Sequence, residues 1–136
     1  MQTMMIIFAC VHNAGRSQIA KAFFNALARQ DNLNLVAQSA GTNPGLCVHP
    51  EVIQVMQEIG IDLTNEKPQL LTLQLATSTN LLITMGCNEK CPYIPELKII
   101  SWNIEDPNGK SINEVRKIRD EIKVKVDDLM FELKNP

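Results

Sequence analysis

Met4-Met5-Ile6-Ile7-Phe8-Ala9 is an unbroken apolar run of strand length. A run with no polar alternation fits a strand covered on both faces. It leads into Cys10-Val11-His12-Asn13-Ala14-Gly15-Arg16-Ser17. Beyond that, Ile19, Ala20, Phe23, Phe24 and Leu27 recur at helical spacing, with Gln18, Lys21, Asn25 and Arg29 off the stripe. Cys10 therefore belongs at the carboxyl end of a strand, and Arg16 and Ser17 at the amino end of a helix. A helix start carries unpaired N–H donors and the positive end of the dipole, so this loop is suited to cradle an anion. In that field a cysteine is favoured as its thiolate. Arg16 adds a planar fork that matches a tetrahedral oxyanion. The expected chemistry is thiolate attack on a bound oxyanion. The plainer reading is a core cysteine ahead of an ordinary helix; Ser17 after Arg16, with a strand before and a helix behind, favours the nucleophile.

The rest of the chain alternates in the same way. Leu33 to Ser39 reads as a second strand, and Ala40 to Gly45 as a Gly/Pro loop. A helix is expected from His49-Pro50, with Val52, Ile53, Met56 and Ile59 inward and Gly60 as its C-cap. Asn65 to Pro68 is loop, Leu70 to Leu75 a short helix, Leu81 to Met85 a third strand and Leu97 to Trp102 a fourth. Ile104 to Lys110 is a polar loop containing Asp106-Pro107. The last helix opens at Ser111-x-x-Glu114, a capping box, and carries a stripe from Ile112 to Leu133. Its charged run, Arg116 to Asp128, is expected to face solvent. Strands alternating with helices predict an α/β fold, a parallel sheet covered by helices on both faces. Ligands of such sheets bind beyond the carboxyl ends of the strands. Cys10, Gly41, Gly86-Cys87 and the Asp106 loop would all meet there.

The chain has 136 residues, enough for one domain spanning all of it with a real core. A net charge of −2 provides no broad basic field, so nucleic acid is not an expected partner. The first apolar run is too short to cross a membrane and lacks the basic start and cleavage site of a signal peptide. A cytoplasmic location follows as the expectation. There the four cysteines, Cys10, Cys47, Cys87 and Cys91, point to reactive or metal-binding thiols before structural disulfides.

Asp106 is either a solvent-facing turn residue or a general acid held by its rigid proline over the oxyanion. A thiolate attacking such an oxyanion must expel an oxygen, and a carboxylic acid can protonate it. Cys87 and Cys91 admit three readings: a half zinc site, two inert thiols, or a redox pair. Zinc would need two more ligands from His12, His49 and Cys47. A redox pair could carry a disulfide outward from Cys10 by successive thiolate attack, with Lys90 favouring the thiolate.

The motif from Cys10 to Ser17, with Asp106-Pro107 late in the chain, resembles the low-molecular-weight tyrosine phosphatase superfamily. The pair Cys87 and Cys91 makes the similarity greatest to its cysteine-dependent arsenate reductases. His49-Pro50-Glu51-Val52, Thr84-Met85-Gly86-Cys87 and Trp102 to Pro107 extend it over essentially the whole chain. The resemblance implies a four-stranded parallel sheet in a three-layer sandwich. It implies that Val11, His12, Asn13, Ala14, Gly15 and Arg16 hold arsenate while Cys10 attacks. Ser17 would steady the thiolate and Asn13 would shape the loop. Asp106 would protonate the departing oxygen. Cys87 would attack the adduct and form a disulfide with Cys10. Cys91 would pass it to Cys87–Cys91, which thioredoxin reduces. No metal or organic cofactor is implied.

The departures are informative. Cys-x3-Cys is tighter than the spacing of the best-known thioredoxin-coupled members. Lys21 stands where some members carry an acidic residue for potassium, so no such site is expected. Asn108-Gly109 follows Asp-Pro where the tyrosine phosphatases carry aromatics, and Tyr93 is the only tyrosine. The alternative function, hydrolysis of phosphomonoesters through a Cys10 phosphocysteine, is thereby disfavoured for phosphotyrosine. Cys47 matches no relay position, and His49 is expected to serve the start of its helix.

Overall fold

A computed structural model describes residues 3–86 and 94–136. Its strands are β1 (Met4–Cys10), β2 (Leu35–Gly41), β3 (Leu81–Thr84) and β4 (Lys98–Ser101). Its helices are α1 (Arg16–Gln30), α2 (Pro50–Gln57), α3 (Leu73–Thr77) and α4 (Ile112–Lys134). The strands form one four-stranded sheet in the order β2-β1-β3-β4. Every pair is parallel, with Cys10 level with Gly41, Ala9 with Thr84, and Thr84 with Ser101.

The unbroken apolar character of β1 has its cause in this order. β1 is central, and both its faces are buried. Ile6, Phe8 and Cys10 point into the larger core, which α1, α2 and α4 close with Phe24, Val52, Met56 and Ile122. Phe8 meets Phe24 edge to face and lies against Trp102. Ile7 and Ala9 point the other way, onto Ala40, Leu71, Ala76 and Leu82, with Ala76 contributed by α3. Both faces are covered, unequally. The chain leaves β1 toward β2 on one side and reaches β3 on the other, so the carboxyl end of β1 sits at a switch point of the sheet.

Local differences from the sequence expectations have local reasons. β2 begins at Leu35, because Leu33 is used in closing α1: Asn32 takes φ +52 and the Leu33 N–H returns to Ala28 O at 2.8 Å. α2 ends at Gln57, ahead of Gly60, and Ile59 is exposed while Val55 fills the core. Leu70 is not helical; it bridges to Gly41, and α3 starts after Thr72, whose hydroxyl accepts the Leu75 N–H. The α4 capping box of Ser111 and Glu114 forms as expected. Arg119, expected to face solvent, is buried: its Nη1 donates to Val55 O at 2.8 Å and to Glu58 at 3.1 Å, tying α4 to the end of α2. Asn25 of α1 is also drawn inward, exchanging two hydrogen bonds with the Ala37 backbone on the free edge of β2.

Candidate active site

The turn after β1 is shaped by the segment that follows β2. Thr42 N–H donates to Cys10 O at 3.2 Å, Asn43 N–H to Val11 O at 2.8 Å, Gly45 N–H to His12 O at 2.9 Å and His49 N–H to Ala14 O at 2.9 Å. In a trans peptide, the carbonyl and the next residue's N–H point in opposite directions. With those carbonyls held toward residues 42–49, the N–H groups of Val11, His12, Asn13 and Gly15 turn the other way. Donors left facing away from that segment, continued by the start of α1, are of the kind that binds an oxyanion.

Cys10 closes the end of β1 and is 2 % exposed. Its Sγ lies 2.9 Å from Ser17 Oγ. Asn13 Nδ2 donates to that same oxygen at 2.6 Å. Asn13 sits at φ +52, a left-handed conformation that asparagine tolerates better than most side chains. Its Oδ1 accepts from the Gln69 N–H at 3.0 Å and from Gln18 Nε2 at 3.2 Å. Those two donors fix which end of the Asn13 amide faces Ser17. A lone pair of Ser17 is thus occupied, and its hydrogen is free to point at the sulfur.

Gln18, read from the helical pattern as facing outward, is fully buried. Its Nε2 also donates to Asn13 O at 3.1 Å, so it grips the loop from the first turn of α1. A polar residue directly behind Ser17, with apolar Ile19 and Ala20 next to it, is the only trace of this in the sequence.

Arg16 Nη1 donates to Ile104 O at 3.1 Å, and Nη2 lies 3.8 Å from Asp106 Oδ2. Asp106 Oδ1 accepts the Asn108 N–H at 3.0 Å, an Asx turn that holds the carboxyl at the rim. Pro107 packs on the loop so closely that a Cβ at Gly15 would lie 2.8 Å from its Cγ. Asp106, from a distant segment, is therefore brought to the turn that carries Cys10, Arg16 and Ser17, at the carboxyl end of the sheet. Cys87 and Cys91 lie outside the described residues; Gly86, one residue ahead of Cys87, lies against Arg16. Cys47 is exposed, His12 Nδ1 is 2.9 Å from Asn43 O, and His49 is the N-cap of α2. Lys21 pairs with Glu66 at 3.2 Å. Among the described residues no group of three or more His, Cys, Asp or Glu side chains is placed to hold a metal ion.

A central parallel sheet with a cysteine, an arginine and a serine on one strand–loop–helix turn, and an Asp-Pro loop over it, defines a class of thiolate enzymes. The chain belongs to the low molecular weight phosphotyrosine protein phosphatase family, which it matches over residues 5–136. Among its relatives is a putative arsenate reductase of Halobacterium salinarum, 36% identical over 131 residues, covering 95% of this chain and 92% of the relative. The arsenate reductase of Staphylococcus aureus strain Newman is 32% identical over 127 residues, covering 90% of this chain and 93% of the relative. Among solved structures, a thioredoxin-dependent arsenate reductase of Corynebacterium glutamicum aligns with TM-score 0.81 and 31% identity. That alignment covers 98% of this chain, which spans 63% of the length of that one.

Proposed function

We propose that this chain is an arsenate reductase that converts arsenate to arsenite through Cys10 and a disulfide relay. The observation that carries the reading is the pairing of the Cys10–Arg16–Ser17 cradle with relatives named as arsenate reductases at 32% to 36% identity over nearly their full length. Arsenate binds the loop N–H groups and the Arg16 fork. The Cys10 thiolate, steadied by Ser17, attacks arsenic. Asp106 protonates the departing oxygen, which leaves as water. The Cys87 thiolate then attacks Cys10 Sγ. The electron pair of the S–As bond stays with arsenic, so As(V) becomes As(III) and arsenite departs. Two thiols have supplied the two electrons, and a Cys10–Cys87 disulfide remains. Cys91 attacks Cys87, freeing Cys10 and leaving Cys87–Cys91 for a thioredoxin-like dithiol to reduce.

No helix among the described residues is long and apolar enough to cross a membrane. Within this reading the enzyme works in the cytoplasm, where dithiol reductants are maintained.

The family's phosphatase chemistry is the second reading. It is favoured by the shared first step, since the same thiolate, arginine and aspartate suit a phosphomonoester. Asn108 and Gly109 after Pro107 supply no aromatic wall for a phosphotyrosine ring. The deciding experiment runs arsenate with thioredoxin beside a phosphotyrosine mimic, on wild type and Cys87→Ser. The reductase reading expects arsenite release that disappears in Cys87→Ser. Full arsenate turnover by that variant defeats the relay; strong ester hydrolysis without arsenate turnover installs the phosphatase.

A further inference from the structure

Arg16 can serve an oxyanion only if its guanidinium is aimed. Nη1 is engaged with Ile104 O at 3.1 Å. That contact leaves the Nε–Nη2 edge, which meets Asp106 Oδ2 only at 3.8 Å, and its parallel N–H groups match two oxygens of a tetrahedral anion. Gly86, just past β3, lies against the engaged end. A Cβ at position 86 would sit 2.5 Å from Nη1, 3.4 Å from Cζ and 3.7 Å from Nη2. The atom it would strike is the far end of a flexible side chain. A methyl group there would therefore displace the guanidinium, in addition to the backbone strain that any Cβ meets at φ +86.

We propose that Gly86 is a positioning residue for the oxyanion: its missing side chain is what lets Arg16 reach Ile104 O and present the Nε–Nη2 edge. The proposal rests on the reading of Arg16 as the oxyanion's partner. Gly86 also immediately precedes Cys87, so one short stretch aims the arginine and carries the thiol expected to attack the adduct.

The test is binding of inorganic phosphate, read as protection of Cys10 from alkylation by peptide-level mass spectrometry. Gly86→Ala is expected to weaken phosphate binding about tenfold, the size of one charge-assisted hydrogen bond. Its melting temperature should fall by only about 5 °C, since the cost to the fold is confined to a methyl group at φ +86. Gly86→Asn separates contact from backbone strain, because asparagine tolerates positive φ yet still carries a Cβ. It should bind phosphate as weakly as Gly86→Ala, and recovery of binding by Gly86→Asn would overturn the proposal. In an Arg16→Lys background, Gly86→Ala should cost about twofold or less; a full tenfold loss there would also overturn it. Wild-type-like phosphate binding by Arg16→Lys would remove the underlying reading of Arg16, an outcome distinct from failure of the Gly86 variants.

Discussion

Ser17 Oγ sits 2.9 Å from Cys10 Sγ with its own oxygen held by Asn13 Nδ2 at 2.6 Å, so the hydroxyl hydrogen is free to point at the sulfur. The direction is inherited. Gln69 N–H and Gln18 Nε2 orient Asn13, Asn13 orients Ser17, and Ser17 faces the Cys10 sulfur. The links among Gln18, Asn13, Ser17 and Cys10 lie in a buried, low-dielectric setting, where a missing partner is costly.

Removing the last donor should be felt at the sulfur first. Ser17→Ala is expected to slow alkylation of Cys10 at neutral pH about tenfold, with a similar loss of arsenate turnover and little change in the fold, as one donor to a charged group is lost. Stopped alkylation series on wild type and Ser17→Ala check this; equal rates would show that the loop N–H groups hold the thiolate unaided.

Gln18→Glu tests the orientation of the network. Nε2 faces Asn13 O, Asn13 Oδ1 and, at 3.4 Å, Lys67 O, so a carboxylate there would confront three oxygens. A buried charge without a partner costs about 3 kcal/mol or more. Urea unfolding at neutral pH should show that loss, and acidification should recover part of it as the new carboxyl is protonated. Wild-type stability at neutral pH would mean that the site opens to water.

Asp106→Asn keeps the Asx turn to Asn108 within reach of its amide oxygen but removes the transferable proton. Turnover should fall at least about a hundredfold, the scale of a lost general acid. Alkylation of Cys10 and protection by phosphate should stay near wild type. A proportional loss of phosphate protection would instead assign Asp106 to binding.

The junction of α2 and α4 should weaken in acid. Glu58 accepts from Arg116 through both oxygens, at 3.0 Å and 2.6 Å, and from Arg119 at 3.1 Å. The hydrogen bond from Arg116 is the largest cause and outweighs the opposing effect of burial; with the Arg116 charge and the Arg119 contacts it holds the carboxyl below its ordinary value of 4.5. A depressed folded-state value means stability that is present above the unfolded pKa and lost as pH falls through the folded one. Thermal unfolding from about pH 6 down to about pH 3 should therefore decline less steeply in Glu58→Gln than in wild type. Parallel curves would show that this exposed cluster contributes nothing to the acid limb.

The placement of the loop was legible because its elements are contiguous. β1, the turn and α1 occupy residues 4 to 30 without interruption, and apolar periodicity marks both flanks. The α4 capping box was equally plain, since Ser111 and Glu114 satisfy each other three residues apart. Gln18 was misplaced because helical periodicity reports which face is apolar, and a buried amide serving a neighbouring loop looks like a surface residue. Arg119 was misplaced for the same reason: its partners, Val55 O and Glu58, come from another helix.

The sequence by itself determined that a cysteine, a planar cation and a hydroxyl stand together on one strand–loop–helix turn, because neighbours in the chain are bound to be neighbours in space. It also determined a parallel α/β arrangement, through the alternation of strand and helix patterns. Only the tertiary structure decided where the loop carbonyls point, since that is dictated by the N–H groups of residues 42–49 arriving from β2. It alone decided how Arg16 is aimed, because Ile104, Gly86 and Asp106 meet it from segments some seventy or more residues away. Contacts made across a sheet edge depend on strand order and register, and no pattern within a single segment encodes them.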